Sequence, residues 1–189
     1  MNEQELIQQL RQGSEPAFRW LVSNYRNRVF HTVLNILQNT IEAEDAAQET
    51  FIQVFESVKT FREESSLSTW IYRIAVRKAL DKIRRRKTRL RLHAILPWWI
   101  PEEKKSVDAD FQHPGIVAEN KEKAAILFKA IESLPEKQKL AFTLIKVQGM
   151  NYVEAGEILQ QNIKAVESLI SRAKVNLQKQ LENYYKTKI

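Results

Sequence analysis

The chain has 189 residues and a net charge of +7 at pH 7, with four glycines, five prolines and no cysteine. This length suits one large or two small domains, and few Gly and Pro beside abundant Leu, Ala, Glu and Lys predict an all-α protein. The lack of cysteine excludes disulfides and thiolate metal sites. Neither a signal peptide nor an apolar run of membrane-spanning length occurs, so we expect a cytoplasmic protein without membrane insertion.

The positive charge is distributed unevenly along the chain. Residues 70–91 carry ten basic side chains and one acid, and residues 121–189 sum to about +5. Residues 92–120, in contrast, carry five acids and two lysines. Two basic zones separated by an acidic connector predict a protein that contacts a polyanion at two places.

Two amphipathic helices are predicted in the first part of the chain. Apolar residues recur at spacings of three and four from Pro16 to Leu37, which is the period of a helix packed on a core. Asn39, with Glu42 three positions later, resembles a capping box and predicts the start of a second helix.

The second helix is predicted to have two chemically different faces. Asp45, Gln48 and Glu49 are three and four positions apart, so they share a face that could meet basic groups of a partner. The alternative is an acidic turn that only complements the helix dipole, and the residues alone favour it. The residues expected to lie mainly toward the core are Phe51, Val54, Phe55 and Val58.

A polar loop and a strongly basic helix are predicted next, with Ser68 or Thr69 as the N-cap. At about 100° per residue, one side of this helix is apolar and the other is basic, which fits either nucleic-acid binding or a solvated face. Trp70 falls on the basic side, as a partly exposed wedge or, with a slight preference, as a core residue. The apolar side holds Ile71, Tyr72, Ala75, Val76, Ala79, Leu80 and Ile83.

Residues 92–120 predict a linker between a first domain, residues 1–91, and a second domain, residues 121–189. They contain three of the five prolines and the pair Trp98 and Trp99, and they show no sustained period. The two tryptophans either pack the domains together or stay exposed, and both possibilities are open.

The second domain is predicted to be helical throughout. One helix covers Ala124 to Ile131, and the next is expected to be capped by Ser133, with Pro135 near its first turn. A short helix, a tight turn and a longer helix then complete the pattern of a helix-turn-helix, which alone is a weak signal. On the longer helix, Val166, Leu169, Ile170 and Ala173 are expected to face the core.

Three segments together resemble a known family. They are AEDAAQETF, FREESSLSTWIYRIAVRKALDKIRRRK and IESLPEKQKLAFTLIKVQGMNYVEAGEILQQNIKAVESLISRAK. In this order and spacing they resemble the extracytoplasmic-function (ECF) sigma factors, the smallest members of the sigma-70 family of bacterial transcription initiation factors. The resemblance implies two helical domains: the first binds RNA polymerase core and the minus-10 promoter element, and the second reads the minus-35 element through its helix-turn-helix.

The resemblance also implies three sets of site residues. The loop from Phe61 to Thr69 corresponds to the segment that captures a base flipped from the nontemplate strand, and the basic helix is expected to follow the DNA. The core-polymerase set is Asp45, Gln48, Glu49 and Ile52. The minus-10 set is Arg62, Ser65, Ser66, Ser68, Thr69, Trp70, Arg73, Arg77, Lys78, Arg84 and Arg85, and the minus-35 set is Lys164, Ala165, Glu167, Ser168, Ser171 and Arg172.

The sequence departs from the family pattern in the second domain. Gln160 occupies a turn position that is usually glycine, Lys164 replaces a small residue, and Glu167 stands where a basic residue is frequent. Ala155 is smaller than usual, whereas Gly156 keeps the small residue that close helix packing needs. The resemblance implies that the linker passes through the active-site cleft of the polymerase, where an acidic segment can mimic nucleic acid. The acids that would suit this role are Glu102, Glu103, Asp108 and Asp110.

The implied partners are RNA polymerase core, promoter DNA and an anti-sigma factor, with no cofactor, metal or small-molecule substrate. The alternative is a conventional helix-turn-helix regulator that acts without polymerase core. Such a regulator requires neither the acidic motif EDAAQE nor a melting loop. An enzyme has little support, because His31, His93 and His113 are scattered over different segments and no glycine-rich phosphate loop occurs.

Overall fold

The computed structural model describes residues 2–95 and 121–187. The chain divides into two compact units, Met1–Ala109 and Asp110–Ile189. The described residues form helices and short loops without a strand, which confirms the predicted all-α class. Residues 96–120 lie outside the described residues, so the expectations for Trp98 and Trp99 and for the acids Glu102, Glu103, Asp108 and Asp110 stay predictions.

The described part of the first unit contains four α-helices and a short 3-10 helix. They are α1 (Glu3–Arg11), α2 (Glu15–Leu37), α3 (Thr40–Ser57), the 3-10 helix Val58–Thr60 and α4 (Leu67–Ile95).

Local chemistry explains where α2 and α3 begin. The Ser14 hydroxyl accepts a hydrogen bond from a backbone N–H in the first turn of α2, and Pro16 has no N–H that would need a partner there. α2 ends where Gln38 adopts left-handed backbone, with a φ of 52°. The predicted cap at Asn39 is confirmed, since its Oδ1 accepts a hydrogen bond from the Glu42 N–H at 2.9 Å.

Helices α2, α3 and α4 pack against one another around the core of the first unit. The apolar side of α4 is confirmed: six of its seven predicted residues are buried, and Leu80 is half-buried. Burial of each large apolar side chain stabilises the fold by about 1.5–3 kcal/mol. The prediction for Phe55 is wrong. Its side chain is 56% exposed, because it lies three positions after Ile52 on the outer face of α3.

α4 begins earlier than predicted. The cap is Ser66 rather than Ser68 or Thr69, since the Ser66 Oγ accepts a hydrogen bond from the Thr69 N–H at 3.2 Å. Leu67, the first helical residue, is fully buried. Burial of Leu67 in the core therefore favours a helix that begins within the segment predicted to be a loop.

The described part of the second unit also contains four α-helices. They are α5 (Lys121–Glu132), α6 (Glu136–Phe142), which continues into the π-helix Thr143–Val147, α7 (Tyr152–Leu159) and α8 (Ile163–Thr187). The predicted cap at Ser133 is wrong. Pro135 holds the cap position of α6 without a side-chain bond, because the Ser133 hydroxyl bonds back to the Ala130 carbonyl at 2.7 Å and so belongs to the end of α5.

Helices α7 and α8 form the predicted helix-turn-helix. Asn151 and Glu154 make a reciprocal capping box at the start of α7, and the Asn162 Oδ1 accepts a hydrogen bond from the Ala165 N–H at the start of α8. The turn between them uses Gln160 in left-handed backbone, with a φ of 55°. A Cβ on Gly156 would lie 2.8 Å from the Gln161 carbonyl oxygen, so the turn requires a glycine at position 156.

Candidate polymerase and nucleic-acid interface

The acidic face of α3 is partly neutralised from within the protein. The Lys82 ammonium group on α4 hydrogen-bonds to Asp45 and, at 3.0 Å, to the Glu49 carboxylate. The Lys78 ammonium group lies 3.9 Å from the other Glu49 oxygen. The Lys82 side chain is 12% exposed, whereas the carboxylates of Asp45 and Glu49 are 59% and 34% exposed. One side of the Asp45 carboxylate is therefore held while the rest faces solvent, whereas each Glu49 oxygen has a lysine nearby and the carboxylate is only partly exposed.

The pKa of Lys82 reflects this arrangement. Burial of the ammonium group disfavours its charge, but hydrogen bonds and charge attraction from Asp45 and Glu49 outweigh burial and raise the pKa above its ordinary value. The lysine is therefore charged at neutral pH. Sequence reasoning missed Lys82, although a signal existed: three positions after Ala79 and seven after Ala75, this lysine falls on the apolar side of α4, where a cation needs an acidic partner.

Beside the acids, α3 presents one exposed amide side chain and two exposed apolar side chains. Gln48 is exposed, Ile52 is 58% exposed, and Phe55 packs edge-on against Phe18 with ring centroids 5.1 Å apart. Gln48, Ile52 and Phe55 lie on the same outward face of α3 as the two acids. The face thus combines two carboxylates, an amide and an apolar strip.

Trp70 has a position between its two predicted alternatives. It is half-buried, and its ring packs on the buried Phe61 ring with centroids 4.9 Å apart. Trp70 thus closes the base of the loop while part of the indole stays accessible.

The hydroxyl groups of the predicted melting loop form a small network. The Ser66 Oγ lies 3.0 Å from the Ser68 Oγ and 2.9 Å from the Thr69 Oγ1. Arg62 and Ser66 are exposed and Ser65 and Ser68 are half-buried, whereas Thr69 is only 3% exposed. Thr69 supports the network from below, and the other four side chains are accessible at the loop surface.

The basic side of α4 is divided into exposed and internally paired cations. Arg77 and Arg85 are exposed, and Arg84 is exposed while its guanidinium lies 2.9 Å from the Asp81 carboxylate. Arg73 and Lys78 are half-buried. The first group is suited to DNA phosphates, whereas Lys78 is turned toward α3.

The outward face of α8 is mixed in charge. Lys164, Glu167, Ser171 and Arg172 are exposed, and Ala165 and Ser168 are half-buried. Val166, Ile170 and Ala173 are buried as predicted, and Leu169 is half-buried. The six predicted minus-35 residues therefore occupy the accessible part of the longer helix of the helix-turn-helix.

Two family descriptions match this chain. Residues 21–89 match Sigma-70 region 2, and residues 124–177 match Sigma-70, region 4. The ECF RNA polymerase sigma-E factor of Haemophilus influenzae is 30% identical over 187 residues, which cover 96% of each chain. The chain belongs to the ECF sigma factors of the sigma-70 family. The ECF RNA polymerase sigma factor SigW of Bacillus subtilis is 29% identical, over 94% of this chain and 95% of that relative.

Solved structures have the same fold as this sigma factor. CnrH in complex with the cytosolic domain of CnrY gives a TM-score of 0.69 at 20% identity, over 96% of this chain and 97% of that chain. The sigma factor RpoE of Bartonella quintana, in complex with the anti-sigma factor NepR, gives a TM-score of 0.67 at 21% identity, over 87% of this chain and 96% of that chain.

Helices α2 to α4 of this sigma factor supply the region 2 match, whereas α1 precedes it. The second unit also carries an open apolar groove of about 730 Å³. Leu127, Phe142, Leu177 and Leu181 line it, with Lys146, Lys174 and Lys186 among the other lining residues. In the described residues, no helix is both long and apolar enough to cross a membrane, and no group of acids and histidines is placed to hold a metal ion.

Proposed function

We propose that this sigma factor binds RNA polymerase core and directs promoter recognition and DNA melting through three separate surfaces. The observation that carries the proposal is the presence of sigma-70 regions 2 and 4 in one chain, each with a basic helix that has an accessible face. The factor contributes no catalytic group in this proposal. Bond formation belongs to the polymerase, and the factor contributes binding energy and position.

The outward face of α3 is the proposed polymerase contact. Asp45 and Glu49 keep accessible oxygens beside exposed Gln48 and Ile52, so cationic and apolar groups of a partner could be matched together. Because Lys82 already holds one side of each acid, the carboxylates are oriented before the partner arrives. This reduces the conformational entropy that binding would otherwise cost.

The loop after α3 and the basic side of α4 form the proposed minus-10 contact. Accessible hydroxyl and backbone groups of the loop can hydrogen-bond to the edges of an unpaired base. Arg77, Arg84 and Arg85 supply charge for the phosphates beside it. The partly exposed ring of Trp70 offers a surface on which a base can stack.

The accessible face of α8 is the proposed minus-35 contact. Arg172 and Lys164 suit phosphates, and Ser168 and Ser171 can reach phosphates or base edges. Glu167 in the middle of this face repels phosphate but can accept a hydrogen bond from cytosine N4. The face therefore favours a specific sequence over tight nonspecific binding.

Energetics favour joint action with polymerase over action as a conventional regulator. Opening roughly ten base pairs at about 1.4 kcal/mol per step costs more than one small basic helix offsets unaided. A factor with a melting loop is therefore useful only together with a clamp that keeps the strands apart. The polymerase-binding face on α3 supplies that partnership.

An anti-sigma factor is the proposed regulatory partner, and the cytoplasm, where polymerase acts, is the proposed location. In one solved structure of the same fold, the sigma factor RpoE is in complex with the anti-sigma factor NepR. In another, CnrH is in complex with the cytosolic domain of CnrY. The apolar groove of the second unit, with its lysine residues, fits an amphipathic helix with acidic flanks.

Run-off transcription tests the proposal. Core polymerase alone and core with this protein are incubated with genomic fragments from the source organism, and transcript start positions are mapped. We expect defined starts only with both components, and weak, nonspecific duplex binding by the protein alone. Tight sequence-specific footprints by the protein alone, without any initiation activity, would instead establish the conventional regulator.

A further inference from the structure

Helix α1 holds the proposed melting loop at its first residues. The Arg11 guanidinium donates a hydrogen bond to the Phe61 carbonyl oxygen at 2.6 Å. A second nitrogen of the same guanidinium lies 2.8 Å from the Glu63 carboxylate. Two residues of the loop are therefore fixed by one planar group, whose fork geometry restricts both distance and direction.

The other end of α1 holds the end of the same loop. The Glu3 carboxylate accepts a hydrogen bond from the Leu67 N–H at 3.0 Å, where α4 begins. This N–H is one of the donors that the first turn of a helix leaves without an internal partner. A negative carboxylate at this position also complements the dipole of α4.

Helix α1 is itself well anchored, so its two charged side chains start from a fixed base. Leu6, Ile7 and Leu10 are 3%, 2% and 5% exposed. A reciprocal capping box between Asn2 and Glu5 closes the first turn. The helix is thus a rigid bar that contacts the loop near both of its own ends.

The loop needs such support. Glu63 adopts left-handed backbone, with a φ of 59°, which costs a residue with a side chain free energy and persists only when the surroundings hold it. Arg11 contacts this residue and the carbonyl two positions before it. Between the held points lie Ser65 and Ser66, two of the residues proposed to meet the unpaired base.

We infer that Arg11 and Glu3 are positioning residues that hold the loop 61–67 ready to capture an unpaired promoter base. The inference rests on the proposed function. It concerns a helix that lies outside the region 2 match, which begins at residue 21. A loop that is already ordered loses less entropy when it binds a base, so the two contacts strengthen capture without touching DNA.

The first experiment examines the free protein. Amide hydrogen exchange is followed at residues 61–67 in the wild type, Arg11→Gln, Glu3→Gln and the control Arg19→Gln, which removes an exposed ion pair with Glu15 on α2. We expect the amides of the loop to exchange roughly tenfold faster in Arg11→Gln and Glu3→Gln than in the wild type, and at the wild-type rate in the control. Circular dichroism and exchange in the core of α2 establish that each variant is folded. Unchanged loop exchange in folded Arg11→Gln and Glu3→Gln proteins would overturn the inference.

The second experiment measures base capture by the holoenzyme. The probe is a synthetic fork promoter, single-stranded at the nontemplate minus-10 positions and taken from a start site found by run-off transcription. Arg11→Gln should bind this fork roughly tenfold more weakly and discriminate less between the four bases at the flipped position. Affinity for core polymerase should stay that of the wild type. Arg11→Lys keeps the positive charge but lacks the planar guanidinium group that makes both contacts. Its binding to the promoter probe should therefore be weaker than that of the wild type but stronger than that of Arg11→Gln.

A failure of the proposed function and a failure of the positioning role give different results. If wild-type protein forms no initiating complex with core, the proposed function fails, while the exchange measurement still decides whether α1 holds the loop. If the wild type initiates and the folded variants bind the fork and discriminate bases as it does, the positioning role is wrong and the function stands. Additive losses in Arg11→Gln, Glu63→Gln and the double variant would likewise contradict a shared contact.

Discussion

Lys82 on α4 donates a hydrogen bond to the Glu49 carboxylate on α3 at 3.0 Å, and the same ammonium group also bonds to Asp45. One largely buried cation thus joins the helix proposed to bind DNA to the face proposed to bind polymerase. Because the two proposed surfaces share this network, substitutions on α3 and α4 have effects on stability that must be separated from effects on binding.

Replacing Lys82 with methionine should lower the free energy of unfolding of the first unit by about 1–2 kcal/mol. Both carboxylates lose a charged partner, but they stay partly solvated, which keeps the cost below that of a fully buried pair. Hydrogen exchange of amides in α3 and α4 under increasing urea measures the effect. The exposed Lys59→Met is the control and should change stability by less than about 0.5 kcal/mol. Equal effects of the two substitutions would contradict the role of Lys82.

The ion pairs of Lys82 should make the stability of the first unit depend on pH in the alkaline range. Because the pKa of Lys82 is raised above the ordinary 10.5, its contribution to stability is fully present below that value and is lost as the pH rises through the folded pKa. The pKa of Tyr25 is also raised, chiefly by burial and then by the Glu3 charge, so it acts in the same direction. The stability difference between wild type and Lys82→Met should therefore shrink above pH 10.5 and stay constant between pH 7 and 9.

Gln48 and Glu49 should behave differently, although they are neighbours on one face. Gln48 is exposed, so Gln48→Ala should weaken binding to core polymerase several-fold while stability changes by less than about 0.5 kcal/mol. Glu49→Ala should also cost about 1 kcal/mol of stability, since Lys82 loses a partner. A core-binding titration beside urea unfolding separates the two. The exposed Gln4→Ala on α1 is the control. Unchanged core affinity of folded Gln48→Ala would remove this face from the polymerase contact.

The exposed arginines of α4 should carry the salt dependence of promoter binding. Arg77→Ala or Arg85→Ala should each lower the slope of log K against log salt by about 0.7–0.9, as expected for one lost phosphate contact. Lys78→Ala should lower it less, because its ammonium group faces Glu49. Holoenzyme binding to a fork promoter over a range of salt concentrations gives the slopes. Equal slopes for all variants and the wild type would mean that this side of α4 is only solvated.

The turn of the helix-turn-helix should respond oppositely to two substitutions. Gly156→Ala should destabilise the second unit by about 1–3 kcal/mol, because the added Cβ would lie 2.8 Å from the Gln161 carbonyl oxygen and force the helices apart. Gln160→Gly should instead stabilise it by about 0.5 kcal/mol, since glycine adopts left-handed backbone without strain. Urea unfolding monitored by exchange in α7 and α8 tests both. A neutral Gly156→Ala would show that the turn can relax around the added carbon.

Local patterns in the sequence were sufficient for the fold class, most helices and the outline of the function. The spacing of apolar residues in α2 and α4 predicts their buried sides because a helix repeats every 3.6 residues. Asn39 could be recognised as a cap because the bond it makes spans only three residues. Gly156 could be recognised as a required small residue from its place in the helix-turn-helix. Two cap predictions failed for different reasons. Near Ser68, several hydroxyls within a few residues offer equally good caps, whereas the Ser133 hydroxyl bonds back to the Ala130 carbonyl instead of capping α6.

Tertiary structure decided which charged residues face each other. Arg11 contacts Phe61 and Glu63, Glu3 contacts Leu67, and Lys82 contacts Glu49. These partners lie 33 to 64 positions apart in the chain, so no periodic pattern links them, and only the packing of α1 and α4 on the rest of the unit brings them within reach. The sequence alone determined that this protein is a helical sigma factor with two basic zones, because periodicity and motifs are local. Which cations remain available to DNA and which hold the protein together depended on the fold, because an ion pair requires proximity in space.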